Sequence, residues 1–258
     1  MPNVMKCRLL SLGAIMLLIS PIFMSCSSEE DIGFTGDSNV NEFSLKEEKT
    51  KPIPTRMSVS DFISLVKDDC SKEELDFLSL LSPTDTMYVY KRSEQNYPTI
   101  NASNLVKYKS LLKTGLPLQR IESAKPIMVS TVASRSDMIE RKTFKYGIRS
   151  NYNAIIEGTV SLYGYFSYMY DVFEDKAVPD YPATVSGIVE TSGGDPSLVL
   201  RYEPHSDICD VMPDRRSLSY SMIGQIVLGA AFGDFAAGAP IESVSESGIM
   251  LIPPGGGD

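Results

Sequence analysis

The sequence predicts an α+β protein: short N-terminal helices followed by an antiparallel β-rich domain of sandwich-like build. Three observations carry this reading. Helix-start signals crowd between residues 60 and 115. From about residue 139 the apolar residues switch to period two, the mark of half-buried strands. Turn-forming clusters of Gly, Pro, Asn and Asp separate the alternating runs.

The helices come first. Ser60 is placed to cap Asp61–Lys67, with apolar residues at 62, 63, 65 and 66. Ser71-Lys72-Glu73-Glu74 is a capping box, in which Ser71 accepts from the N3 amide and Glu74 reaches back. It opens a helix carrying Leu75, Phe77, Leu78, Leu80 and Leu81, stopped near Pro83. Ser103 or Asn104 starts a third, ending at Gly115 ahead of Pro117. The strands follow. Phe144, Tyr146 and Ile148 alternate with Thr143, Lys145 and Gly147. Val160, Leu162, Phe166 and Tyr168 alternate with Ser161, Tyr163, Tyr165 and Ser167. Further alternation runs over residues 198–202 and 217–224. One buried face per strand makes antiparallel pairing the default.

Composition narrows the function classes. The 258 residues hold 24 Lys and Arg against 33 Asp and Glu, one His and no Trp. A net charge of -9 argues against unspecific nucleic-acid binding, so no nucleic-acid partner is expected. A single His excludes the multi-histidine metal enzymes, and no cofactor motif is present. The charge is blocked along the chain. Residues 91–149 carry twelve bases and four acids, and residues 150–258 carry four bases and fifteen acids. The basic middle is therefore expected to pair with the acidic C-terminal part, with a basic patch for an anionic ligand as the alternative.

The N-terminus reads as a targeting segment. Lys6 and Arg8 form a basic start, and residues 9–24 are uncharged. That run is shorter than the roughly 20 residues of a membrane-spanning helix. It ends in Phe23-Met24-Ser25-Cys26, which resembles a bacterial lipoprotein signal. The resemblance implies cleavage after Ser25 and lipid on Cys26. Loss of Lys6 and Arg8 leaves 22 bases against 33 acids, a net charge of -11. Ser27-Ser28-Glu29-Glu30-Asp31 resembles the surface-export tag of Bacteroidota lipoproteins. This implies an outer-membrane, lipid-anchored protein facing outward. Asp85-Thr86-Met87 resembles the O-glycosylation sites of exported Bacteroidota proteins, with Thr86 as the acceptor. The expected organisation is a signal peptide at 1–25, a flexible acidic tether at 26–52, a helical or mixed region at 53–138, an antiparallel β region at 139–252 and a disordered tail at 253–258.

Candidate sites are few. Tyr163 and Tyr165 would present rings and hydroxyls suited to a glycan or a peptide. Glu203, His205, Asp207 and Cys209 would share one face if extended. Pro204 disturbs a strand, however, and a polar loop is the preferred reading. Cys70 and Cys209 are the candidate disulfide in an extracytoplasmic compartment. Residues 222–239 are apolar with recurrent glycines, read as a buried strand and a glycine-rich turn; a helix-packing glycine zipper is the alternative. No nucleophile motif is present.

Three functions follow as expectations. The first is a non-catalytic surface lipoprotein binding a glycan or protein. The second is an extracellular hydrolase using carboxylates near Asp207, Asp210 and Asp214. The third is a membrane-active protein acting through residues 222–239. The anchor is tested by Cys26→Ala, which should move the protein from the membrane fraction to the soluble fraction on cell fractionation. Retention in the membrane would remove the lipoprotein reading.

Overall fold

The computed structural model describes residues 53–133 and 138–253. The signal segment, Cys26, the acidic tether and residues 254–258 lie outside the described residues. The described residues belong to one compact unit.

Two antiparallel sheets face each other across a shared core. The first has five strands in the order β1 (Thr55–Ser58), β2 (Thr86–Lys91), β11 (Phe235–Leu251), β10 (Ser217–Phe232) and β9 (Val199–Val211). The second is built on β5 (Ile139–Asn153) paired with β6 (Gly158–Asp171). Its one edge carries β3 (Gln119–Arg120) and β4 (Ile127–Ala133), both on β5. Its other edge carries β7 (Lys176–Ala177) and β8 (Thr184–Gly193), both on β6. Residues 55–91 thus join the same sheet as the C-terminal hairpin, so the 53–138 and 139–252 regions fold as one body.

Alternation builds the core. Phe144, Leu162, Phe166 and Tyr168 point inward from one sheet, and Leu218, Tyr220, Met222, Ile226 and Leu228 from the other. Phe166 and Tyr220 meet edge-to-face at 5.2 Å between ring centroids. Gly187 on β8 and Gly224 on β10 leave a slot for the Tyr202 ring, since a Cβ on either would meet that ring within 2.7 Å. The Tyr202 hydroxyl donates to Asp207 Oδ1 at 2.7 Å.

Three helices close one end of the core. Helix α1 (Val59–Val66) is capped by Ser58 rather than Ser60: the Ser58 backbone is extended and its Oγ accepts from Asp61 N. Starting there buries Val59, Phe62 and Val66 together. Helix α2 (Lys72–Leu78) keeps the expected capping box of Ser71 and Glu74. Helix α3 (Ala102–Thr114) is capped by Asn101, not by Ser103 or Asn104. Asn101 Oδ1 accepts from both of those amides, and Asn104 Oδ1 accepts from Asn101 N. The helices gather on Phe232: Phe62 lies 5.3 Å from it and Phe77 5.9 Å. Phe232 ends β10, and a two-residue turn of Gly233 and Asp234 follows, with Gly233 at φ 53°. Residues 222–239 are thus a β-hairpin, not a helix with a glycine zipper. No described helix is long and apolar enough to cross a membrane.

Sequence charge blocks pair within the chain, as expected. Lys107 on α3 binds Glu157 and Asp195, each at 2.8 Å. Lys145 binds Glu190 at 2.5 Å, and Arg149 on β5 reaches Glu242 and Glu246 on β11. The expected disulfide is not formed: Cys70 and Cys209 are free thiols. Asp69, beside Cys70, packs at Gly233 near one end of β10, whereas Cys209 pairs with Tyr220 near the other. Twelve residue steps along the strand separate Tyr220 from Phe232, about 40 Å at ~3.3 Å per step. Burial raises both thiols, Cys70 to about 11 and Cys209 to about 12, so they stay protonated.

Asp195 sits in the turn between β8 and β9 and gives a pH handle. The Lys107 hydrogen bond, helped by the Ser197 N–H, lowers its carboxyl from 3.8 to about 2. A carboxyl depressed in the folded state stabilises above its ordinary pKa and loses that stabilisation as pH falls toward the folded value. Asp195→Asn should therefore lower Tm at neutral pH, with the gap to wild type closing as pH drops from 3.8 to about 2. Thermal melts across that range check it. A gap independent of pH would show that the ion pair is not its source.

Candidate functional site

One side of the five-stranded sheet holds a cluster of polar groups built on Tyr88, Tyr90, Glu203, His205 and Gln225. Two bulges shape it. On β9, Pro204 pairs with Gly224 and Ser206 with Ile223, so His205 is an extra residue. On β11, Pro240 pairs with Val227 and Glu242 with Ile226, so Ile241 is extra. Each bulge lies next to a proline, which lacks the N–H that a continuous ladder requires. Bulges bend and twist the strand that bears them. Here they flank Gln225, and the sheet curls until its edge strands meet: Arg56 Nη2 on β1 donates to the Pro204 carbonyl on β9 at 3.0 Å.

The curl encloses a second, smaller apolar cluster of Tyr88, Tyr90, Tyr97, Val227, Ala231 and Ala236. Tyr88 and Tyr90 alternate with Met87 and Val89, which face the main core. Pro98 accepts from Ala231 N and brings Tyr97 over Gly229, where a Cβ would lie 2.7 Å from the ring.

Polar groups ring this floor. The Tyr88 hydroxyl donates to Gln225 Oε1 at 2.8 Å and contacts His205 Nε2 at 2.5 Å. A phenol carries one proton, so with that proton on Gln225 the His205 Nε2–H is the donor. The His205 ring lies near parallel to Tyr88, and the Arg56 guanidinium sits 5.4 Å from the Tyr88 centroid. Buried Glu203 accepts from the Tyr90 hydroxyl at 2.5 Å and pairs with Arg201 Nε at 3.2 Å. A buried carboxylate held by a guanidinium and a phenol avoids the cost of an unpaired charge.

Burial raises the phenols. Desolvation is the main cause at Tyr88, opposed by Arg56, and at Tyr90, reinforced by the Glu203 bond. Tyr97 rises to about 12, also by burial, although Arg201 opposes it. Its hydroxyl is buried without a hydrogen bond of good geometry. These tyrosines stay neutral at physiological pH and act as donors and acceptors.

Two cavities share Arg56 in their lining. One, about 350 Å³, is lined by Asp85, Thr86, Tyr88, His205, Gln225 and Pro240 together with Arg56. The other, about 320 Å³, is lined by Ile53, Pro54, Arg201, Tyr202, Glu203 and Pro204, among others. Both fall in the range of small-ligand pockets, about 300–1,000 Å³. Exposed Arg56, Thr86 and His205 and half-buried Gln225 supply donors and acceptors at the mouth. The arrangement suits recognition of a hydroxyl- or amide-rich ligand.

The residues singled out from sequence are dispersed. Tyr163 and Tyr165 lie half-buried on the outer face of the second sheet, away from this cleft. Lys145 Nζ sits 3.8 Å above the Tyr163 ring, and the Tyr165 hydroxyl donates to Glu190. Thr86 is exposed at the start of β2 and lines the larger of the two cavities. Residues 203–210 are strand, not loop. The His205 bulge also breaks the expected common face: Tyr202 and Cys209 both pack in the main core, whereas Glu203 and His205 meet the tyrosines of the cleft. Asp207 and Asp210 fall on opposite faces of β9, because the ladder is regular between them. Asp214 accepts from Arg216 N, Ser217 N and Ser217 Oγ in the following turn. Among the described residues no cluster of three or more His, Cys, Asp or Glu is placed to hold a metal ion.

Compared with known proteins, the chain matches no protein-family model, no curated protein and no solved structure.

Tyr88→Phe keeps the buried ring and removes only the hydroxyl between His205 and Gln225. Both partners can turn to water, so the cost should be about 1 kcal/mol in denaturant unfolding. A loss above about 3 kcal/mol would mean that the hydroxyl holds the curl of the sheet itself.

Proposed function

We propose that the protein is a lipid-anchored cell-surface lipoprotein with a sandwich-like domain, and that a glycan seats in the cleft between β1, β2 and β9. The observation that supports the ligand site is the ring of Arg56, Thr86, His205 and Gln225 over neutral Tyr88. Sugar hydroxyls pair with such mixed donors and acceptors, and the Tyr88 hydroxyl below, bonded to both His205 and Gln225, fixes those two side chains in place. The anchor rests on Cys26 at the exit of the uncharged segment, followed by Ser27-Ser28-Glu29-Glu30-Asp31. Each buried methylene of an attached acyl chain adds about 0.8 kcal/mol of membrane affinity. The tether would hold the cleft off the membrane surface.

Binding of the purified mature chain to a glycan array, followed by calorimetric titration of the best ligand, tests the reading. His205→Ala and Gln225→Ala should each weaken binding about tenfold, as expected for one lost hydrogen bond of about 1.4 kcal/mol. Tyr163→Ala, on the far sheet face, should leave it unchanged. An empty array, or an affinity that both cleft variants leave intact, would overturn the glycan assignment.

A further inference from the structure

A second pair of cavities lies at the end of the sandwich away from the helices, and it shares no lining residue with the cleft. There β7, the turn between β9 and β10 and the last residues of β11 converge. Ala177 N donates to the Arg215 carbonyl at 2.9 Å, and Arg215 Nε donates back to the Ala177 carbonyl at 2.8 Å. Ile252 N donates to the Arg216 carbonyl at 2.9 Å. Arg215 holds φ 58°, a left-handed value uncommon outside glycine and asparagine. Its clamp on Ala177 and its pair with Glu174 offset that strain and fix the turn.

The first cavity, about 270 Å³, has three bases and one acid in its lining: Lys176, Arg215, Arg216 and Asp175. Residues 150–258 contain four bases, so three of the four meet here. Held together they repel, and an anion bound among them relieves that repulsion. The acids nearby are already engaged. Asp175 accepts from the Tyr170 hydroxyl, Glu174 is taken by Arg215, and Asp214 accepts from Arg216 N, Ser217 N and Ser217 Oγ. Among the described residues neither the Lys176 ammonium nor the Arg216 guanidinium has an ion pair within 4.0 Å. The second cavity, about 340 Å³, is apolar in character, with Pro126, Tyr146, Ile249 and Met250 in its lining. The two adjoin, since both are lined by Leu251, Ile252 and Pro253. Leu251 is 75% exposed and Ile249 67%.

We infer that these adjoining cavities bind an aliphatic carboxylate of fatty-acid type, its head between Lys176 and Arg216 and its chain along Leu251, Ile252 and Pro253 toward Tyr146. Charge complementarity selects the head, because a carboxylate offers only acceptors and matches an ammonium and a guanidinium. The apolar lining selects the chain, which covers side chains now open to water. Volumes near the lower end for small-ligand pockets, about 300–1,000 Å³, suit a single chain rather than a two-chain phospholipid.

Calorimetric titration of the mature chain bearing Cys26→Ala, so that no lipid can attach, tests this. The probes are decanoate, decanol, which lacks the charge, and acetate, which lacks the chain. Decanoate should bind at least tenfold more tightly than either. Arg216→Gln, at an exposed position and with Tm unchanged, should weaken decanoate about tenfold and leave decanol unaffected. Lys176→Gln should do the same. Absence of decanoate binding overturns the inference, as does an affinity that both variants leave intact. Decanol or acetate binding as tightly as decanoate also overturns it, because the head or the chain then plays no part. Cosedimentation with phosphatidylglycerol vesicles without binding of free decanoate overturns it too, and assigns this basic and apolar end to a membrane surface.

Discussion

Two proline-adjacent bulges on either side of β10 set the character of this molecule. Pro204 and Pro240 cannot donate to their ladders, and in each case the next residue is left over. Those extra residues bend and twist the strands of the five-stranded sheet that bear them. The sheet curls, β1 reaches β9 through Arg56, and three tyrosines become a second apolar floor. The same irregularity that interrupts the backbone pairing creates the concavity and places His205 and Gln225 beside one phenol.

The two sides of that sheet solve different packing problems. The side facing the second sheet is filled by interdigitating rings and by Tyr202 in its glycine slot, and it runs continuously into the helices around Phe232. Only glycine lets the rings approach the backbone that closely. The concave side carries buried Glu203, so it must also carry the guanidinium and phenol that compensate it. A buried charge network specifies geometry at some cost in stability.

Much of the fold was legible in local residue patterns. The capping box at Ser71 and Glu74 and the alternation over Tyr163–Tyr168 read directly, because they depend on neighbours in sequence. The basic middle and acidic end pairing through Lys107, Lys145 and Arg149 was also foreseeable from charge blocks. The helix caps were misplaced by two or three residues, since Ser58 and Asn101 compete with nearby Ser60, Ser103 and Asn104 and tertiary burial decides among them. The strand carrying Tyr88 and Tyr90 was missed, although Met87 and Val89 alternating with the tyrosines is a period-two signal. The residues around His205 were noticed but read as a loop, because a proline inside a strand is tolerated only at an edge or a bulge. Which edge it would be is not a local property.

The sequence by itself determined the short helices, the long alternating strands after residue 139 and the pairing of opposite charge blocks. These follow from periodicity, charge and short-range spacing. Only the tertiary structure decided that Cys70 and Cys209 stand at opposite ends of β10 and remain free thiols, and that Asp207 and Asp210 face apart. It alone brought Arg56, Tyr88, His205 and Gln225 together from four strands. Strand register and bulge position place side chains across a sheet, and the contact they create between Tyr88 and His205 joins segments more than a hundred residues apart.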